Sequence, residues 1–221
     1  MKISNETVEI LKNFASINMS LMIKPGSKLR TVSPQKTVLA QAVVKETFDK
    51  ECALYDLNQF LSTSGMFEDP DFEFGERSVK IKNGKAYSNF AYAGVATITT
   101  PSEKEIKLPT VDVSFTIEKQ VMSIALKAAG LMGLPEIALL FKDGTISVTA
   151  VDSRNAEGNS FSYPVGQTDS ECSIVFKLDN LKILPRDYEV SVSSKGIAHF
   201  KSKQGDIEYW IPTEAGSKFV K

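Results

Sequence analysis

The sequence predicts an α+β protein made of two similar halves, each with helices packed on antiparallel strands. Three observations predict it. An amphipathic helix pattern opens each half, hairpin signals follow, and a strand then runs directly into a short helical segment. In the first half, Val8, Ile10, Leu11, Phe14, Ala15 and Ile17 cover one side of a helical wheel. Met19–Lys24 and Lys28–Val32 read as strands around a Pro25-Gly26 turn. Cys52–Leu61 reads as a strand entering a helix, with Asp56 and Gln59 spaced as a capping box. The alternation of Phe72, Phe74, Val79 and Ile81 predicts further strands, Asn83-Gly84 a hairpin, and Ala86–Ala91 a closing aromatic strand.

The second half repeats the plan. Val121, Ile124, Ala125 and Ala128 define a helix with Thr116 as its expected N-cap. Asp143-Gly144 separates the expected strands Glu136–Phe141 and Thr145–Val151. Cys172–Ile183 reads as a strand entering a second short helix. Alternation at Tyr188, Val190 and Val192, a turn at Gly205, and Ile207–Ile211 complete it. The order β-α-β-β-β-β-α-β-β-β is thus expected twice, with four helices in all. Gly94–Pro109, charged and bracketed by prolines, reads as an exposed connector. The expected domains are 1–93 and 111–221, with the connector at 94–110.

Composition excludes several functions. Over 221 residues the net charge is −1, which is no basic protein that coats nucleic acid by bulk charge. One histidine, His199, and two distant cysteines, Cys52 and Cys172, cannot build a four-ligand zinc site. A nucleophilic triad would need His199, and no motif supplies it with a nucleophile or an orienting acid. Phosphate-binding glycine loops are absent from the sequence. Glu68, Asp69, Asp71, Glu73 and Glu76 read as a loop and strand edge rather than a metal site. No catalytic residue, metal or cofactor is therefore expected. The sequence holds no apolar run of about 20 residues and its opening lacks an apolar signal core, so no membrane association is expected. The cysteine usage fits a reducing cytoplasm.

Lys12–Asn18 (KNFASIN) and Ala53–Leu61 (ALYDLNQFL) resemble the DNA polymerase sliding clamps of T-even-type bacteriophages, and the opening MKIS, the length and the two-half plan agree. The resemblance is clearest up to about Gly65 and thins to shared pattern beyond it. It implies a closed ring of three identical subunits, with helices lining the hole and antiparallel sheets forming the outer wall. Such a ring encircles double-stranded DNA without sequence specificity and tethers the replicative DNA polymerase. An ATP-driven clamp loader opens it, and the clamp itself does no chemistry. The resemblance also implies late-transcription factors as partners and the cytoplasm of the infected bacterial host as the place of action. Cyclic closure would pair free sheet edges at subunit borders.

The helix wheels sharpen this expectation. Opposite the first apolar arc lie Asn5, Glu6, Glu9, Lys12, Asn13 and Ser16; opposite the second lie Lys119, Gln120, Ser123 and Lys127. The short helices add Asn58, Gln59 and Ser62, then Asp179, Asn180 and Lys182, for a sum of about +1 per chain. Lys12, Lys119, Lys127 and Lys182 are the expected DNA-facing cations. So small a charge binds phosphates weakly, as suits a ring held by topology. For partners, the resemblance implies a peptide pocket between connector and second domain, with Ile106 and Leu108 on one side and Trp210 and Pro212 on the other. The alternative is a non-ring accessory protein that binds single-stranded DNA, for which Lys80, Lys82, Lys85 and Tyr87 are the nearest match.

Overall fold

The computed structural model describes residues 1–155, 157–169 and 171–219. The chain divides into two compact units, Met1–Glu105 and Ile106–Lys221. The first contains α1 (Asn5–Ile17), β1 (Leu21–Ile23), β2 (Gly26–Val32), β3 (Leu39–Phe48), β4 (Cys52–Leu54), α2 (Leu57–Ser64), β5 (Asp71–Phe74), β6 (Ser78–Asn83) and β7 (Ala86–Ala91). The second contains β8 (Val113–Ile117), α3 (Lys119–Met132), β9 (Glu136–Lys142), β10 (Thr145–Val151), β11 (Phe161–Gln167), β12 (Cys172–Lys177), β13 (Tyr188–Ser193), β14 (Ile197–Ser202) and β15 (Ile207–Pro212).

In the first unit, α1 begins where the Ser4 hydroxyl accepts from the Thr7 amide, satisfying one free N–H of the first turn. It buries Ile10, Leu11, Phe14 and Ile17 and lies against α2, β2 and β3. Glu46 on β3 fixes its entry, accepting from the Ser4 amide at 2.5 Å and from the Thr7 hydroxyl. Partial burial pushes the Glu46 carboxyl up, but the hydrogen bonds from Thr7 and Ser4 outweigh it and hold the pKa below the ordinary carboxylate range. The capping role expected of Asp56 is present: its carboxylate accepts from the Gln59 amide at 2.8 Å. The sheet β5-β6-β7 packs on α2 through Phe60, whose ring lies 5.9 Å from Phe72 and 5.6 Å from Phe90.

The second unit has two four-stranded antiparallel layers, β11-β10-β9-β12 and β15-β14-β13-β8. Asp143 and Gly144, both at positive φ (52° and 76°), form the two-residue turn between β9 and β10. α3 lies on β9, β10 and β11. An aromatic cluster fills the core, with Tyr188 6.1 Å from both Phe200 and Tyr209, and Phe200 5.6 Å from Phe176.

The repeated order holds, with three departures. Among the described residues there are three α-helices, not four. The second short helix is a single 3-10 turn, Leu178–Asn180; Asp179 and Asn180 are poor helix formers and Pro185 follows closely. Thr116 is not an N-cap but the fourth residue of β8, and the cap position is Glu118. The free Lys119 amide is satisfied instead by the Asp187 carboxylate at 2.7 Å, from a loop distant in sequence. In the first unit no named strand precedes α1. There Met1 exchanges backbone bonds with Phe72, at 2.7 and 2.8 Å.

Candidate nucleic-acid interface and partner surfaces

Each helix presents its polar face to solvent. Lys12 is exposed on α1, opposite Ile10, Leu11 and Phe14. The acids of that face are partly neutralised from the sheet, since Lys45 on β3 pairs with Glu6 at 2.7 Å. On α3, Lys119 and Lys127 are exposed with Gln120 and Ser123, while Val121, Met122, Ala125 and Ala129 are buried. α3 itself contains no Asp or Glu, so Lys127 has no acid on its own helix, while Lys119 stands at the end where the Glu118 cap residue and the Asp187 carboxylate lie. Lys182 is also exposed, but it lies in irregular chain after the 3-10 turn rather than on a helix.

The sheet edges divide into covered and open ones. In the first unit, the outer edge of β5 is covered by the N-terminus through the Met1–Phe72 bonds, and β7 is the other edge. In the second, the outer edge of β12 is covered by the C-terminal segment: Ser173 and Lys218 exchange bonds at 2.8 and 2.7 Å, and the Glu214 amide donates to Val175. The opposite edge is β11. Both β7 (AYSNFA) and β11 (FSYPVGQ) lack any charged residue, as does the shorter β8 (VSFTI) at the edge of the other layer of the second unit. Edge strands of monomeric proteins are ordinarily blunted by charges, especially lysine. The covered edge β5, by contrast, carries Asp71 and Glu73.

Of the expected pocket residues, Trp210 and Pro212 stand two apart on one face of β15, opposite the face on which Tyr209 joins the core. The Trp210 ring is buried and stacks on His199, with centroids 4.6 Å apart and planes within 13°. His199 Nε2 lies 2.8 Å from Glu208 Oε2. The acid that no motif supplied is thus Glu208, reached across the β14–β15 ladder. Ile106 and Leu108 are half-buried in the segment before β8. The residue that pins the start of the connector is Ile98, packed in a buried cluster with Met22 and Ala53. Sequence reasoning missed it, although it is an isolated isoleucine between threonines.

The acidic stretch is partly neutralised by two lysines. Lys2 pairs with Asp69 at 2.9 Å, and Lys82 with Glu73. Among the described residues no group of three or more His, Cys, Asp or Glu side chains is arranged to hold a metal ion. On the candidate single-strand surface two lysines have partners within the sheet: Lys82 pairs with Glu73, and the Lys80 ammonium lies over the exposed Tyr87 ring, 4.4 Å from its centre.

Two family descriptions match the chain, "DNA polymerase processivity factor" over residues 4–94 and "gp45 sliding clamp, C terminal" over residues 114–215. The chain belongs to the bacteriophage sliding-clamp family of DNA polymerase processivity factors. The sliding clamp of Vibrio phage KVP40 is 32% identical over 223 residues, covering 97% of this chain and 100% of the relative. That of Escherichia phage RB69 is 31% identical over 228 residues, covering 98% of each. Among solved structures, PCNA of Thermococcus kodakaraensis aligns with a TM-score of 0.68 at 13% identity, over 95% of this chain and 96% of that one. PCNA of A. fulgidus, bound to the C-terminal region of FEN-1, aligns with a TM-score of 0.69 at 13% identity, over 96% of each chain. These structures share the two-domain clamp fold. No helix of the described chain is long and apolar enough to cross a membrane.

Proposed function

We propose that three copies of this clamp chain close into a ring around duplex DNA and tether the replicative polymerase. The observation that carries this reading is the pair of open, uncharged sheet edges. Pairing β7 of one copy with β11 of the next satisfies both edges, and a head-to-tail contact that closes on itself leaves neither exposed. The ring is opened by a clamp loader ATPase and works in the cytoplasm of the infected host. Within it, Lys12, Lys119, Lys127 and Lys182 face the phosphates. Contacts of this kind position the ring without reading base sequence. The chain acts by holding, not by chemistry, and late-transcription factors would share the same outer wall.

On singly primed circular DNA, with polymerase and loader present, the chain is expected to lengthen the products made in one binding event. The double variant Lys119→Glu/Lys127→Glu replaces two exposed cations with anions on the face that meets DNA. It is expected to shorten those products while shifting stability by only about 0.5 kcal/mol. Product lengths equal to those of the unaltered chain would remove α3 from the DNA-facing surface.

We further propose that a partner's C-terminal peptide docks beside Trp210 and Pro212, with Ile106 and Leu108 as the facing wall. The FEN-1 segment on A. fulgidus PCNA is a precedent for a clamp-bound C-terminal region. Trp210 is the chain's only tryptophan, so it reports on this surface directly. Titrating a polymerase C-terminal peptide is expected to change its fluorescence. Leu108→Ala is expected to weaken binding by about 2 kcal/mol if Leu108 is a central contact. Unchanged fluorescence with unchanged affinity would place the pocket elsewhere.

A further inference from the structure

A groove of about 230 Å³ opens in the first unit between β1–β2 and the start of the connector. Met22, Pro25 and Pro101 give it apolar walls, and Lys24, Lys28 and Arg30 give it three cations against one anion, Glu103. Lys28 and Arg30 alternate on β2 with the buried Leu29 and Thr31, so they lie on the sheet face opposite α1. The groove therefore does not belong to the face proposed to meet DNA.

Two of the three cations, Lys24 and Arg30, are engaged by the connector itself. Lys24 pairs with Glu103, and Arg30 donates to the Ser102 carbonyl at 2.8 Å. Lys24 beside Glu103, with Arg30 near, holds that carboxyl below its ordinary range. The fit is incomplete, because Arg30 Nε is buried without a hydrogen-bond acceptor. A buried donor left unpaired is costly. Glu103 thus holds the position that an incoming carboxylate would take.

We propose that this groove is a docking site for an acidic, proline- or leucine-containing peptide segment of a partner protein, with Glu103 as the built-in competitor it displaces. Charge selects the carboxylates, and the methionine and proline walls take the apolar side chains between them. A nucleic acid would use the cations and leave those walls without a partner. The site lies wholly within the first unit and is independent of the Trp210 pocket and of ring closure.

The test uses the full chain and a fluorescein-labelled peptide alternating Glu with Leu and Pro, followed by anisotropy. Replacing every Glu of the probe by Gln, or introducing Lys24→Ala with Lys28→Glu in the protein, is expected to weaken binding about tenfold. Glu103→Gln removes the competitor and is expected to tighten it about threefold, a change no loss of folding produces. Melting temperature and solution mass, read on the same samples, keep a failed fold or ring separate from a failed site. The proposal is overturned by absent binding, by equal affinity for the Gln probe, or by Glu103→Gln leaving affinity unchanged or lower. It is equally overturned if an oligothymidylate binds with the same dependence on Lys24 and Lys28, which would make the groove a nucleic-acid site.

Discussion

Asn89→Lys combined with Gly166→Lys is expected to leave a folded monomer in place of the proposed ring. The two positions lie on the open edges β7 and β11, and both are exposed. Each closed border would then bring two new ammonium groups toward one pairing line. Like charges opposed across strands cost roughly 0.2–1 kcal/mol per pair, and lysine on an edge also resists being dehydrated there. Every 1.4 kcal/mol or so is a factor of about ten in an association constant, and a closed trimer must form three such borders. The fold is expected to tolerate both changes. A Cβ at Gly166 meets only Ile146 Cδ1, at 3.7 Å, which is ordinary contact. Sedimentation measures the outcome, with circular dichroism to establish folding. A double variant that stays trimeric would mean that β7 and β11 are not the borders.

Phe200→Ala is expected to cost about 3–5 kcal/mol of stability. The side chain is fully buried, and its ring packs edge-on against both Phe176 and Tyr188. The void is thus faced by rings carried on β12 and β13, whose ladders resist collapse into the space. The denaturant midpoint, compared at one protein concentration because assembly adds to apparent stability, reads the loss. A cost under about 1 kcal/mol would show that this cluster is not the centre of the second unit's core.

How much of this was legible in the sequence depended on whether the cause was local. α1 could be placed from its wheel, Asp143-Gly144 from turn chemistry, and Ala86–Ala91 to the residue, because neighbours in sequence determine each. The start of α3 was displaced from Thr116 because its cap comes from Asp187, which no local pattern announces. No local pattern marks β11, since Pro164 and Gly166 break the alternation of a strand. The cationic positions of the helices were readable, because exposure on a wheel follows from period alone. Lys182 was the exception, as the helix meant to carry it is one turn of 3-10. The surfaces that matter most for assembly were harder to read. That β5 and β12 are covered by the first and last described segments, while β7 and β11 end their sheets among the described residues, is a fact of tertiary pairing. The missing charges in AYSNFA and FSYPVGQ were the only trace of it in the sequence.

The mass of the protein in solution tests the ring most directly. The chain is 24.3 kDa, and light scattering or sedimentation at micromolar concentration is predicted to give three times that value. A mass of 24.3 kDa that persists as concentration rises would contradict it.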